Sequence, residues 1–199
     1  MPLASLAAGI EGMSTGIIIH GPIGAGKTMT CLELVERAGA SGIPVRGVVS
    51  PRVYEGETLT GYDCLQVATG DRFPLVRLRG EVKGPGWFDF RNLKYSFSSE
   101  GFNCANHVLL EASHRLRPSE VVFVDEFGRL EADGRGLFRG ASAVVSSLEE
   151  GDVPVFSCRS DLLGVVRRLL GKGVEEIGVV EAEDLEEAWS LVCEGLYKS

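Results

Sequence analysis

Lys27 and Thr28 close the run Gly21-Pro22-Ile23-Gly24-Ala25-Gly26-Lys27-Thr28, which fits G-x-x-x-x-G-K-[ST], the pattern of a loop that wraps phosphate groups. Its glycines leave no Cβ in the way and reach left-handed backbone angles. Successive N–H groups can therefore turn inward around phosphate oxygens, aided by the positive end of the following helix. In this role Lys27 reaches the β- and γ-phosphates and the Thr28 hydroxyl ligates Mg2+. The expected nucleotide-contacting set is Gly21, Pro22, Ile23, Gly24, Ala25, Gly26, Lys27, Thr28 and Met29. A glycine-rich turn without a ligand has no need of Lys and Thr at these offsets.

The other half of such a site is a carboxylate at the end of a buried strand, where it holds the magnesium hydration shell. Asp125 follows four apolar residues, Val121-Val122-Phe123-Val124, and is the expected metal partner of Thr28. Glu126 comes next, where a second carboxylate can polarise an attacking water. Arg159, after the apolar run 153–157, is a candidate to touch the γ-phosphate and stabilise departing charge. The expected catalytic set is thus Lys27, Glu126 and Arg159. His107, Glu111 and His114 share one helical stripe, but it lies opposite Phe102 and Leu109 and reads as a solvated face.

These residues need a scaffold of alternating strands and helices. Residues 16–20 are a short β-branched run suited to a strand buried on both faces. Residues 27–38 follow as a helix with Leu32, Val35 and Ala38 in register, stopped by Gly39 and Gly42. Further strands are expected at 45–50, 121–124, 153–157 and 177–180, and further helices at 102–116, 160–170 and 185–196, with Ser98 or Ser99 capping the first of these. Turn signals at Glu55-Gly56, Thr60-Gly61 and Gly84-Pro85-Gly86 mark β-hairpins between them. The fold class is α/β, a mainly parallel sheet flanked by helices with a hairpin-rich insertion at about 51–97, and function belongs at the carboxyl ends of the strands. Residues 13–199 are expected to form a single domain behind a mobile leader, 1–12.

With 199 residues and 44% apolar content the chain can bury a sizeable core. A net charge of −8 disfavours direct binding of a nucleic-acid backbone, which selects a basic surface. The five cysteines form no C-x-x-C pair, so neither a zinc site nor a disulfide framework is signalled, and a reducing cytoplasm fits. Residues 1–15 lack Lys and Arg and make a poor secretory signal. No run approaches the length of a membrane span. The partner in view is a nucleoside triphosphate; a protein partner is not specified.

Taken together, the loop 21–28, the segment Gly47-Val48-Val49-Ser50-Pro51 with Glu55-Gly56 and Gly61-Tyr62-Asp63, Lys94-Tyr95, and above all Val124-Asp125-Glu126-Phe127-Gly128-Arg129-Leu130-Glu131 resemble the thermophile-type P-loop nucleoside-triphosphatases, the cancer-related nucleoside-triphosphatase group. The resemblance spans roughly residues 16–159. It implies a RecA-like P-loop NTPase domain that hydrolyses ATP, GTP and other nucleoside triphosphates slowly and with little base selectivity, and a nucleotide-kinase ancestry. It carries phosphate binding to Lys27, magnesium to Thr28 and Asp125, and the hydrolytic carboxylate to Glu126. Met29-Thr30 and the stretch 84–90 depart from the family pattern, and 101–107 has no assigned role.

Three functions use this machinery: Mg2+-dependent hydrolysis of the triphosphate, transfer of its γ-phosphate to a nucleoside, a nucleotide or another small hydroxyl acceptor, and a nucleotide-operated switch for a protein partner. For transfer, Arg72, Arg77 and Arg79 are candidates for a lid that excludes water. Tyr54, Tyr62, Trp87 and Tyr95 are candidates for stacking on a base.

Overall fold

The computed structural model describes residues 14–114 and 119–197. The leader 1–12 and the end of the helix expected to reach Leu116 lie outside these residues. Strand β1, Thr15–His20, runs through the phosphate loop into helix α1, Lys27–Ala40. Then come β2, Val45–Val49; β3, Arg52–Glu55; β4, Thr58–Gln66; β5, Arg72–Leu78; β6, Trp87–Asp89; and β7, Tyr95–Ser98. Helix α2, Ser99–Ala112, leads to β8, Val121–Phe127, and to helices α3, Arg129–Ala132, and α4, Phe138–Ser146. The chain closes with β9, Val153–Cys158; α5, Leu163–Leu170; β10, Glu176–Glu181; and α6, Leu185–Tyr197.

The ten strands among the described residues join one sheet in the order β10-β1-β9-β8-β2-β4-β5-β7-β6, with β3 paired to β4. The half from β10 to β2 is parallel. From β4 outward the pairing is antiparallel. The hairpins therefore do not stand apart. They continue the parallel sheet through the contact of β2 with β4, and so carry their side chains up to the phosphate loop.

Helices cover both faces of the parallel half, which is why its strands are apolar without alternation. Ile17 and Ile19 pack on one face with Cys31 and Leu34 of α1 and Val192 and Leu196 of α6. Ile18, between them, faces Ala105 and Leu109 of α2, Val144 of α4 and Val166 of α5. Each such burial contributes about 1.5–3 kcal/mol. The Ser98 side chain caps α2 by accepting from the Gly101 amide at 2.9 Å. Helix α4 was not foreseen, although Leu137, Ala141, Val144 and Val145 bury one face at helical spacing.

The unassigned stretch 101–107 holds this packing together. A Cβ on Gly101 would stand 2.0 Å from the Pro74 carbonyl oxygen, so only glycine lets α2 begin this close to β5. The Asn106 amide donates to the carbonyls of Phe102 and Gly136, both at 2.8 Å, and its Oδ1 accepts from the Gly140 amide at 2.7 Å. One side chain thereby fastens α2 to the start of α4.

Candidate active site

The loop between β1 and α1 turns through two left-handed glycines, Gly24 and Gly26, both at φ 91°. Gly26 is also the residue before the first turn of α1, so the helix opens with its unpaired N–H groups facing the loop. Lys27 is only 4% exposed. Its Nζ donates to the carbonyls of Gly21 at 3.4 Å and Pro22 at 3.2 Å, which fixes the ammonium beneath the loop. Thr28 is half-buried in the first turn. Met29 and Ile23 carry exposed side chains. Thr30, a departure from the family pattern, is buried and donates its hydroxyl to the Ala182 carbonyl.

Asp125, near the carboxyl end of β8, has no exposed surface. Its Oδ2 accepts the Ser50 amide at 2.8 Å, and its Oδ1 accepts the Ser157 hydroxyl and a long contact from Cys31 Sγ at 3.9 Å. Three neighbouring elements, β2, β9 and α1, thus orient this carboxylate. Ser50 was read only as part of a motif. Its own hydroxyl is buried without a partner, and the residue lines the same cavity as Lys27.

Glu126 has φ 62°, a left-handed conformation uncommon for a side chain of its size. The β8 to β9 register shifts at this point, between Val124 and Phe127. The Ser157 hydroxyl accepts the Glu126 amide at 2.9 Å and so holds the kink. Such a backbone departure is held only by surrounding structure and turns the side chain out of the ordinary strand alternation. Burial, followed by the neighbouring Asp125 charge, pushes the Glu126 carboxyl up to about 7, against the pull of Lys27.

Lys27, Glu126 and Arg159 line one cavity of about 350 Å³, together with Ile23, Gly24, Ser50 and Arg52. Arg159 is held in place by Asp161, which accepts from Nε at 2.9 Å and from a terminal nitrogen at 2.7 Å. Arg52 was missed by sequence reasoning. It follows Ser50-Pro51 directly, and its guanidinium stands 3.9 Å from where a Gly24 Cβ would be.

The arginines expected to form a lid do not line this cavity. Arg77 pairs with Asp63 at 2.6 Å and donates to the carbonyls of Tyr62 and Val76, and Arg79 pairs with Asp89 at 3.1 Å. Both are fixed within the antiparallel sheet. Of the stacking candidates, Tyr62 and Tyr95 line the cavity and pack edge to face, with ring centroids 5.7 Å apart. Trp87 belongs to the outer strand β6, and Tyr54 is exposed. His107 and Glu111 form an exposed pair at 3.6 Å, as a solvated stripe should.

A sequence model of the family described as NTPase matches residues 16–181. The chain belongs to the NTPase family. It is 29% identical to the cancer-related nucleoside-triphosphatase homolog of Bos taurus over 148 residues, 72% of this chain and 77% of the relative. Against nucleoside-triphosphatase THEP1 of Methanopyrus kandleri it is 29% identical over 119 residues, 60% and 61% of the two chains. The solution structure of the human cancer-related nucleoside triphosphatase superposes with a TM-score of 0.69 at 25% identity, covering 94% of this chain and 99% of that one. The crystal structure of THEP1 from the hyperthermophile Aquifex aeolicus shares the fold, with a TM-score of 0.63 at 21% identity, covering 89% of this chain and 98% of that one.

In this NTPase the segment 125–131 divides its labour. Asp125 is locked in place, Glu126 enters the cavity, and the buried Glu131 carboxylate accepts the amides of Gly128 at 2.8 Å and Leu137 at 2.9 Å, clasping the loop between α3 and α4. Among the described residues no cluster of three or more His, Cys, Asp or Glu side chains could hold a metal by itself. The oxygen donors on the elements around the phosphate loop are the fixed Asp125 carboxylate and the hydroxyls of Thr28 and Ser50, of which only Ser50 lines the cavity. Such hard oxygen ligands suit Mg2+ that also takes phosphate oxygens and water. All five cysteines are free thiols. No helix among the described residues is long and apolar enough to cross a membrane.

Proposed function

We propose that this NTPase hydrolyses ATP, GTP and other nucleoside triphosphates to the diphosphate and phosphate, slowly, with Mg2+ and with low base selectivity. The observation that carries the reading is the convergence of Lys27 and Glu126 on one cavity, with Asp125 buried and oriented behind them. The relatives' shared name, nucleoside-triphosphatase, specifies no base.

In this reading residues 21–29 form the phosphate cradle, where the loop amides and the start of α1 hold the β- and γ-phosphates. Lys27 Nζ exchanges its loop carbonyls for phosphate oxygens. Thr28 and Asp125 hold Mg2+, which supplies charge neutralisation on the phosphates. The Glu126 carboxylate accepts a proton from the water that attacks the γ-phosphorus, and Arg159 stabilises the charge spreading over the transferring group. The left-handed backbone at Glu126 supports this role, because strain of this kind concentrates at functional positions. Free thiols fit a cytoplasmic setting, and the continuous sheet supports residues 13–199 acting as one domain.

The test is steady-state phosphate release from ATP, GTP, CTP and UTP with Mg2+, comparing the parent with Glu126→Gln. Release from several triphosphates that the substitution abolishes supports the reading. Release at the parental rate removes Glu126 from it.

A further inference from the structure

The cavity is larger than an attacking water requires. One water has a share of about 30 Å³ in the liquid, whereas this cavity holds about 350 Å³. That is the lower part of the range of small-molecule sites, about 300–1,000 Å³. Gly24, Lys27 and Ser50 line the part of it next to the phosphate loop.

Much of the remainder is apolar. Leu75 and Val76 of β5, Phe97 of β7, Phe102 of α2, Leu130 of α3 and Leu137 before α4 form its walls. Glu131 also reaches this surface, but both its oxygens already accept backbone amides. Tyr62 and Tyr95 add ring faces. Water against such walls finds few partners, so an apolar body displaces it favourably. Charged side chains line the same space: Lys27, Glu126, Arg52 and Arg159 around the phosphate loop, and Lys94 and Arg129 beside Tyr95 and Leu130.

We propose that the apolar part of this cavity binds a small alcohol with an aromatic or aliphatic body, places its hydroxyl at Glu126, and makes it a phosphoryl acceptor in competition with water. A nucleoside suits these walls less well, because its base and sugar would set several polar groups against Leu75, Val76, Phe97, Phe102 and Leu137. The inference rests on the reading of the phosphate loop and Glu126 given for hydrolysis. The acceptor oxygen bonds to the γ-phosphorus as the bond from that phosphorus to the β,γ-bridging oxygen breaks. The bridging oxygen leaves with the bonding pair on the nucleoside diphosphate. Glu126 takes the hydroxyl proton and later returns it to solvent, so the products are a diphosphate and a phosphate monoester. Outside the parallel core, β4, β5, β7 and the start of α2 would thus exist to shape the acceptor.

The experiment follows 31P NMR of ATP, Mg2+ and the full chain with 2-phenylethanol, 2-(4-hydroxyphenyl)ethanol, 2-(indol-3-yl)ethanol and geraniol, and with thymidine as the polar comparison. Saturation-transfer NMR reports binding of each compound in parallel. The expected result is a phosphate monoester of at least one apolar alcohol, none of thymidine, and loss of the ester with Glu126→Gln. Leu59→Trp on β4, at the half-exposed rim of the wall, should lower the ratio of ester to free phosphate about tenfold or more, the scale on which pocket shape discriminates. Leu93→Trp, in the loop before β7, makes the same test from another side should the first variant fold poorly. Phosphate release with neither ester nor alcohol binding overturns the acceptor and leaves hydrolysis standing. Ester with little free phosphate supports the acceptor and removes hydrolysis as the main reaction. No turnover in any mixture overturns both.

Discussion

The Ser157 hydroxyl on β9 donates to Asp125 Oδ1 on β8, and neither side chain has any exposed surface. The same hydroxyl accepts the Glu126 amide, so one oxygen holds both the Asp125 carboxylate and the Glu126 backbone. Ser157→Ala would strand a buried carboxylate oxygen and an amide. We expect a loss of about 1–3 kcal/mol in urea unfolding, together with slower phosphate release. An unchanged unfolding midpoint would show that the hydroxyl does not carry this load.

Glu126→Gln should keep nucleotide affinity within a few-fold, because the side chain is expected to meet water and not the triphosphate. Turnover should fall by about 10²–10⁴, the usual contribution of a positioned base. Lys27→Ala should weaken both binding and turnover, and a chelator should silence the parent. Fluorescent-nucleotide titration alongside phosphate release separates these cases; loss of binding in Glu126→Gln would contradict the assignment.

The raised Glu126 carboxyl, at about 7 in the fold, has a consequence for stability in nucleotide-free, chelator-treated protein. Between the ordinary carboxylate range and about 7 the folded chain binds more protons than the unfolded chain. Stability from this group is therefore full at low pH and is lost as pH rises through about 7. Glu126→Gln removes that dependence. The variant should gain on the parent by about 1–3 kcal/mol between about pH 5 and about pH 8. Urea melts at the two pH values measure it, and an equal difference at both would rule it out.

Arg159 is gripped by Asp161 on both nitrogens that face it, so its guanidinium reaches the cavity preorganised. Arg159→Ala should reduce kcat by about tenfold or more, with a smaller change in nucleotide affinity, as expected of a group acting on transition-state charge. An equal loss in binding and kcat would make it a ground-state phosphate contact instead.

Asn106 makes three hydrogen bonds to backbone groups of α2 and the segment leading into α4. Asn106→Ala should cost at least about 2 kcal/mol by chemical unfolding, since the amide of Gly140 and two carbonyls lose their partner together. A neutral result would mean that water replaces the side chain there.

The sequence alone determined the local parts. The loop 21–28 could be read because its chemistry is contiguous, and the strands 16–20 and 121–124 because burial on both faces demands unbroken apolar runs. Asp125, Glu126 and Arg159 could be placed for the same reason, the two carboxylates just inside the carboxyl end of β8 and the arginine one residue past β9. Tertiary structure decided what comes from distant segments. Ser50 and Ser157 enter the site only because β2, β8 and β9 lie side by side, and Arg52 because β3 pairs with β4, pairings that no local pattern encodes. Arg77 and Arg79 carried the right charge for a lid, yet cross-strand partners bind them into the sheet. The cavity itself is assembled from β4, β5, β7, α2 and α3, whose apolar residues look in sequence like any core. Only their placement against the phosphate loop leaves a space between them, because a cavity is a property of how packed surfaces fail to meet and not of any one segment.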